Sequence, residues 1–192
     1  MIGGVLLTGG SSRRLGTDKA RLTIDGVDLA TRCARLLSSV CDAAVEVGPG
    51  CSTLPSVLET PRGGGPLVAM LAGFDALAAA HDLAGVLVVS CDLPHLNAAL
   101  LELLASWPAP NVVPVAQGRL QPLCAKFDAA LMADARARVA RGERSLRWID
   151  DTLVTPLPES VWHAVAPPTA LLDLDTTDDA AAFGIELPER RT

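Results

Sequence analysis

Residues 5–22 read VLLTGGSSRRLGTDKARL and join a short apolar run to a loop rich in glycine and positive charge. The run Val5–Leu7 is short enough to form one buried strand. Glycine allows a backbone to approach a ligand closely and to turn its N–H groups towards it. Arg14 and Lys19 can offset the charge of a triphosphate. The stretch therefore predicts a strand that leads directly into a phosphate-binding loop.

Two common phosphate-binding loops do not match this stretch. A P-loop needs Gly-Lys-Ser/Thr at its end, whereas Thr17 follows Gly16 and the lysine stands at position 19. The dinucleotide fingerprint Gly-x-Gly-x-x-Gly does not fit the glycines at positions 9, 10 and 16. These mismatches disfavour a simple NTPase and an NAD-binding protein.

The composition is typical of a globular protein with an ample core. The chain has 192 residues, of which 49% are hydrophobic, and its net charge is −6. No apolar run is long enough to span a membrane, and no cleavable leader pattern stands at the N-terminus. We therefore expect a cytoplasmic protein that binds neither a membrane nor nucleic acid, since a nucleic-acid partner usually requires a basic surface. The five cysteines form no Cys-x-x-Cys pair, which predicts buried free thiols rather than disulfides or a zinc site.

Strand and helix patterns alternate along the chain without a repeat or a linker. After the first strand, apolar runs predict strands at residues 43–47, 57–58, 86–89, 112–115, 162–165 and 170–174. Helical spacing predicts helices at 28–40, from Pro66, at 97–107 and at 129–141, with a short closing helix capped by Thr176 or Thr177. The alternation predicts one domain over residues 1–187, with a loose tail at 188–192. Its expected architecture is a three-layer α/β/α fold with a mostly parallel sheet.

Two aspartates that follow predicted strands are candidate metal ligands. Asp92 comes just after the apolar run at 86–89, and Asp175 follows the predicted strand at 170–174. Ligands of parallel sheets lie beyond the carboxyl ends of the strands, so both aspartates can share a rim with the glycine-rich loop. Mg²⁺ prefers a few carboxylates together with phosphate and water. Either aspartate can instead cap a helix, and the residues alone leave that alternative open.

The glycine-rich loop resembles the pattern Leu-x-Gly-Gly-x-Ser-x-Arg-x-Gly-x-x-Lys of the MobA-like nucleotidyltransferases. The matching positions are Leu7, Gly9, Gly10, Ser12, Arg14, Gly16 and Lys19. Other segments resemble that family in the same order along the chain, namely Gly65-Pro66-Leu67, Cys91-Asp92-Leu93-Pro94, Gln121-Pro122-Leu123, Gly142-Glu143-Arg144 and residues 173–179. The resemblance therefore covers nearly the whole chain.

The resemblance implies a fold of the nucleotide-diphospho-sugar transferase type and transfer of GMP from GTP to the phosphate of Mo-molybdopterin, with release of pyrophosphate. It implies that GTP is bound by Leu7, Thr8, Gly9, Gly10, Ser12, Arg14, Lys19, Gly65, Pro66, Leu67 and Asp92. Arg14, Lys19 and Asp92 are then the expected catalytic residues, and Asp92 and Asp175 the expected Mg²⁺ ligands. Molybdoenzyme apoproteins or their chaperones are the further partners that it implies.

The chain also departs from the family pattern. Asp173 and Asp175 stand where the family tends to have asparagines, and Gly48 stands where an asparagine is expected near the base or ribose. One alternative is therefore a CTP-dependent cytidylyltransferase of the molybdenum cofactor, or another nucleotidyltransferase of this fold with a phosphate acceptor. Another is a nucleotide-binding protein without catalysis. The pair Gly9-Gly10 favours the guanylyl branch of the family.

Overall fold

The computed structural model describes residues 1–9, 18–185 and 187, so the predicted tail at 188–192 lies outside the described residues. The strands are β1 (Ile2–Leu7), β2 (Thr23–Ile24), β3 (Val27–Asp28), β4 (Ala43–Val47), β5 (Ser56–Val57), β6 (Gly85–Ser90), β7 (Val112–Ala116), β8 (Arg119–Leu120), β9 (Cys124–Asp128) and β10 (Thr155–Leu157). The helices are α1 (Leu29–Val40), α2 (Pro66–Ala78), α3 (Ala98–Ser106), α4 (Ala129–Ala140), α5 (Glu159–Trp162) and α6 (Thr177–Ala182). A 3₁₀ turn covers Lys19–Arg21.

Most strands belong to one sheet, which has the order β10-β7-β9-β6-β1-β4-β5, with β8 paired to β7. The central strand β1 pairs in parallel with β4 and β6. The outer strands β5 and β10 also run parallel to their neighbours β4 and β7. Only β9, among the strands of this path, runs antiparallel to both of its neighbours. The predicted mostly parallel sheet is confirmed.

Helices cover both faces of the sheet because the central strands are apolar on both sides. On β1, Leu6 faces a core that includes Leu37 of α1 and Leu104 of α3. The alternate residue Val5 faces a second core that includes Met70 of α2, together with residues of α4. This arrangement is the three-layer α/β/α fold that the sequence predicts.

Polar side chains determine where several helices begin. The helices α1, α3 and α4 each start after a residue whose side chain accepts a hydrogen bond from a first-turn N–H group, namely Asp28, Asn97 and Asp128. The predicted helices at 28–40, 97–107 and 129–141 are therefore confirmed, as is the closing helix, which Thr176 caps. No helix in the described part of the chain is long and apolar enough to cross a membrane. All five cysteines lie in that part and are free thiols, four of them buried.

Two predicted strands in the C-terminal part are wrong. Trp162 ends helix α5, which follows Pro158, and its buried indole Nε1 donates a hydrogen bond to the Val115 carbonyl at 2.9 Å. The strand of this region is instead β10, at the edge of the sheet. Ala170 and Leu171 are buried residues at the end of a turn, and residues 172–174 have no regular secondary structure. Apolar residues in both segments suggested strands, but the buried residues among them pack in the core without pairing to a strand.

Candidate active site

Three neighbouring parallel strands end at one edge of the sheet. Leu7, the last residue of β1, pairs with Val47 of β4 and with Ser90 of β6. The chain therefore leaves all three strands at the same level, and Gly9 and Asp92 follow directly. This is the carboxyl edge at which α/β sheets bind their ligands.

A cleft of about 780 Å³ opens at this edge, a volume within the range of small-molecule sites. It is lined by strand ends, by the loop before α2 and by the first turn of α2: Leu7, Gly9, Glu59, Gly63, Gly65, Pro66, Ala69, Ser90, Asp92 and Leu123. Five of the residues predicted to bind GTP therefore share one cleft. Ser90 was not predicted as a site residue, although its position two residues before Asp92 was a signal for it.

Close backbone packing holds the start of α2 beside the cleft. Gly65 has φ 90°, and a Cβ there would lie 2.6 Å from the carbonyl oxygen of Arg144. The Leu67 N–H group donates to that same carbonyl at 3.1 Å. The side chain of Leu67 is fully buried, so this predicted GTP-binding residue contributes to the core beneath the cleft rather than to its lining.

Lys19 joins the two aspartates that were predicted to bind metal. Its Nζ lies 3.1 Å from Oδ2 of Asp92 and 2.5 Å from Oδ1 of Asp175. The hydroxyl of Ser90 donates to the other oxygen of Asp92 at 2.5 Å. The Leu174 N–H group donates to the Asp92 carbonyl at 2.9 Å, and this bond brings Asp175 to the rim without a strand at 170–174.

The charges of this cluster influence one another. Burial by itself lowers the pKa of Lys19, but the hydrogen bond to Asp175 and the charge of Asp92 outweigh it, so the pKa is raised. The pKa of Asp173 is raised to about 6, mainly by burial of its carboxyl group and to a lesser extent by the negative charges of Asp92 and Asp175. Part of this residue is nevertheless exposed. Among the residues that the structure describes, the carboxylates of this cluster therefore outnumber its one ammonium group, which favours a further cation.

The donor chemistry of Asp92 and Asp175 fits Mg²⁺, because both are carboxylates that converge on one cationic centre. Among the described residues, no group of three or more His, Cys, Asp or Glu side chains is arranged to hold a metal by itself. Mg²⁺ usually binds proteins through one or two carboxylates and takes its other ligands from water and substrate phosphate. Neither aspartate caps a helix, since Asn97 caps α3 and Thr176 caps α6.

Thr8 is buried, and its hydroxyl donates to Oε1 of Glu46 at 2.6 Å. A Cβ at Gly48 would lie 2.0 Å from the Thr8 hydroxyl oxygen, so only glycine fits beside it. This contact explains why Gly48 replaces the expected asparagine. Glu46 was not predicted from the sequence, although a single charged residue in an apolar strand was a signal for it. The predicted phosphate-loop residues Gly10, Ser12, Arg14 and Gly16 lie outside the described residues.

The profile of a known family, described as the MobA-like NTP transferase domain, matches residues 4–155 of this chain. The chain belongs to the MobA-like NTP transferase family. The resemblance recognised in the glycine-rich loop is thereby confirmed. The matched region includes the cleft, Lys19 and Asp92, whereas Asp175 lies beyond it.

Individual relatives cover nearly the whole chain. A protein of Chloroflexus aggregans named "Probable molybdenum cofactor guanylyltransferase" is 32% identical in an alignment of 200 positions that covers 93% of this chain and 91% of that protein. The molybdenum cofactor guanylyltransferase of Rhizobium leguminosarum bv. trifolii is 30% identical, with 94% and 90% coverage. The crystal structure of molybdopterin-guanine dinucleotide biosynthesis protein A from Archaeoglobus fulgidus has a TM-score of 0.77 and 17% identity, covering 94% of this chain and 96% of that chain. This likeness shows the shared fold, of the nucleotide-diphospho-sugar transferase type.

Proposed function

We propose that this protein is a molybdenum cofactor guanylyltransferase, which transfers GMP from GTP to the phosphate of Mo-molybdopterin and releases pyrophosphate. The observation that carries the proposal is the contact of Lys19 with Asp92 and Asp175 at the rim of a cleft large enough for a nucleotide. Relatives of that name at about 30% identity support it. The unit that acts is residues 1–187, and its expected compartment is the cytoplasm.

The reaction demands alignment and charge neutralisation more than proton transfer. The acceptor is a phosphate monoester, whose second pKa is about 6, so it is mostly dianionic at neutral pH and needs no strong general base. Its oxygen forms a new bond to the α-phosphorus of GTP while the bond to pyrophosphate breaks. The protein has to align two anions and offset their repulsion. This demand explains how the site can work without a catalytic histidine or a nucleophilic side chain.

In this proposal, each group of site residues has a distinct task. Lys19 and Arg14 neutralise the triphosphate, and Gly9, Gly10 and Ser12 supply backbone and hydroxyl donors to it. Leu7 and Thr8 hold the start of that loop, while Gly65 and Pro66 line the cleft at the start of α2 and Leu67 packs in the core beneath them. Asp92 and Asp175 would hold Mg²⁺, which when bound adds positive charge beside the phosphates.

Calorimetric titration with GTP, CTP, ATP and UTP in the presence of Mg²⁺ tests the proposal, combined with an assay of pyrophosphate release on Mo-molybdopterin. We expect a preference for GTP in the wild type. Asp92→Asn should weaken binding of Mg²⁺–GTP about tenfold or more, which corresponds to about 1.4 kcal/mol, and should abolish transfer. The matched control is Asp151→Asn, because Asp151 is exposed and lies outside the cleft.

The possible results separate the alternatives. Turnover of CTP without turnover of GTP would identify a cytidylyltransferase of the same fold. Nucleotide binding without pyrophosphate release on any phosphate acceptor would identify a binding protein. Near-normal transfer by a folded Asp92→Asn variant would remove the role assigned to this carboxylate. Molybdoenzyme apoproteins or their chaperones are the proposed recipients of the product.

A further inference from the structure

Glu46 is a buried carboxylate to which the proposed reaction assigns no role. It lies in β4, where its neighbours Val45 and Val47 are apolar, and it has no exposed surface. An ionised carboxylate is costly to bury unless it is hydrogen-bonded. The partners of this side chain therefore indicate what it does in the protein.

Five donors surround the Glu46 carboxylate. Its Oε1 accepts from the Thr8 hydroxyl at 2.6 Å, from Gly50 N at 3.0 Å and from Cys51 N at 2.7 Å. Its Oε2 accepts from the backbone N and the hydroxyl of Ser52, at 2.8 and 2.7 Å. Burial raises the pKa of Glu46, but these hydrogen bonds outweigh it, so the pKa is lowered and the group is ionised at neutral pH.

The first set of contacts connects Glu46 to the beginning of the phosphate-binding loop. Thr8 directly precedes Gly9, which lines the cleft. The Thr8 N–H group also donates to the Val47 carbonyl at 3.1 Å, so both its backbone and its hydroxyl are attached to β4. Thr8 is thereby held in one place at the point where the chain enters the loop.

The second set of contacts connects Glu46 to the end of the same loop. The turn at residues 50–52, which Glu46 holds, places Cys51 Sγ 4.0 Å from Oδ2 of Asp18. Asp18 in turn caps the 3₁₀ turn that carries Lys19, because its Oδ1 accepts from Ala20 N at 3.1 Å. The turn at 50–52 therefore packs against the residue that precedes Lys19.

We propose that Glu46 is a positioning residue for nucleotide binding, which holds Thr8 and the turn at 50–52 and, through them, both ends of the loop between Gly9 and Lys19. This inference rests on the proposed function, since it assumes that the loop binds GTP. Glutamine has nearly the same shape, but its amide replaces one acceptor oxygen by a donor. A donor at that position would face N–H and hydroxyl groups, so the turn or Thr8 has to move.

The test measures GTP affinity by calorimetry for Glu46→Gln, Thr8→Val, Ser52→Ala and the double variant Glu46→Gln/Thr8→Val. The control is Glu102→Gln, because Glu102 is exposed on α3. We expect Glu46→Gln to weaken GTP binding about tenfold and the double variant to be little weaker than Glu46→Gln, since residues that act through one network are not additive. In steady-state assays KM for GTP should rise, while KM for the phosphate acceptor stays unchanged. A role in stability alone would not separate the two KM values.

Ser52→Ala gives a second test that does not depend on how well Glu46→Gln folds. It removes one hydroxyl from Glu46, and Ser52 is not among the residues that line the cleft. We expect about a threefold loss of GTP affinity. If the wild type binds GTP and both Glu46→Gln and Ser52→Ala bind it equally well, the inference is wrong and the proposed function stands. If the wild type binds no nucleotide, both are wrong.

Discussion

Several side chains at this site each make hydrogen bonds to more than one partner, so a substitution at one position affects more than one group. Asp92 accepts hydrogen bonds from both Lys19 and Ser90, and Lys19 also contacts Asp175. Glu46 accepts from five donors in the same way. Removing one partner from a buried network leaves the others unsatisfied, which costs more than the lost hydrogen bond itself. Substitutions at this site should therefore be tested both singly and in pairs, so that the coupling between two side chains is measured.

Glu46 should make the stability of the protein sensitive to acid. Its pKa in the folded protein lies below the ordinary value of 4.5, so the carboxylate stabilises the fold above that pH, and the contribution is lost as the pH falls further. The groups that face it are hydroxyl and N–H donors and the Cys51 thiol, whose raised pKa keeps it neutral. We expect Glu46→Gln to be less stable than the wild type by about 1–3 kcal/mol at neutral pH.

Urea unfolding at a series of pH values measures this difference. The gap between wild type and Glu46→Gln should shrink below pH 4.5 because protonation removes an acceptor from the wild type as well. The control Glu102→Gln should show no comparable dependence. A gap that stays constant through the acid range would contradict the lowered pKa.

At the scale of elements, the position of α2 depends on one glycine. A Cβ at Gly73 would lie 2.4 Å from Cγ1 of Val5 and 2.9 Å from Cγ2 of Val47. Because Gly73 has no side chain, α2 lies directly on β1 and β4. The same helix begins at Pro66 and lines the cleft with its first turn. The distance between helix and sheet therefore also determines the shape of the cleft.

Gly73→Ala should destabilise the protein by about 1–3 kcal/mol, because the added methyl group has no space against Val5. Where a helix has space for the methyl group, replacing glycine by alanine stabilises the protein by about 1 kcal/mol. Destabilisation by Gly73→Ala would therefore show that the methyl group clashes with the sheet. Thermal or urea unfolding measures it. The control is Ala78→Gly at the exposed end of α2. It measures the change in unfolding free energy that comes from helix propensity without a change in packing. A Gly73→Ala variant as stable as the wild type would show that α2 can move away from the sheet without loss.

At the scale of the whole molecule, the site combines three distant parts of the chain. Lys19 comes from the beginning, Asp92 from the middle and Asp175 from the end. A small hydrophobic cluster connects the beginning to the end, formed by Leu22, Leu29, Leu174, Ala180 and Ile185. The two larger clusters lie on the two faces of the central sheet. Small clusters open at lower free energy than central strands, so we expect the Asp175 segment to be the less stable part of the site.

Amide hydrogen exchange tests this difference in stability. In the free protein we expect faster exchange at residues 174–185 than in β6, because the segment has the smaller core. If GTP and Mg²⁺ bind at Asp175, as proposed, they should slow exchange there, most clearly at the Leu174 amide that donates to Asp92. Equal protection of the two segments in the free protein would contradict the first expectation. Binding without added protection would contradict the role of Asp175.

The sequence by itself determined the local features of this protein. The apolar runs at 43–47 and 86–89 form strands, and residues such as Asp28 and Asn97 start helices, because these signals act over a few neighbouring residues. The pattern from Leu7 to Lys19 was also enough to indicate the family.

Only the tertiary structure decided which remote residues meet. Asp175 was predicted to reach the rim as the end of a strand, yet the hydrogen bond from Leu174 to Asp92 brings it there. Glu46 accepts hydrogen bonds from Thr8 and from a turn after its own strand, and its proposed role rests on both. The buried indole of Trp162 finds its hydrogen-bond partner in a carbonyl of β7. Such contacts join groups far apart in the chain, so no local spacing of residue types encodes them.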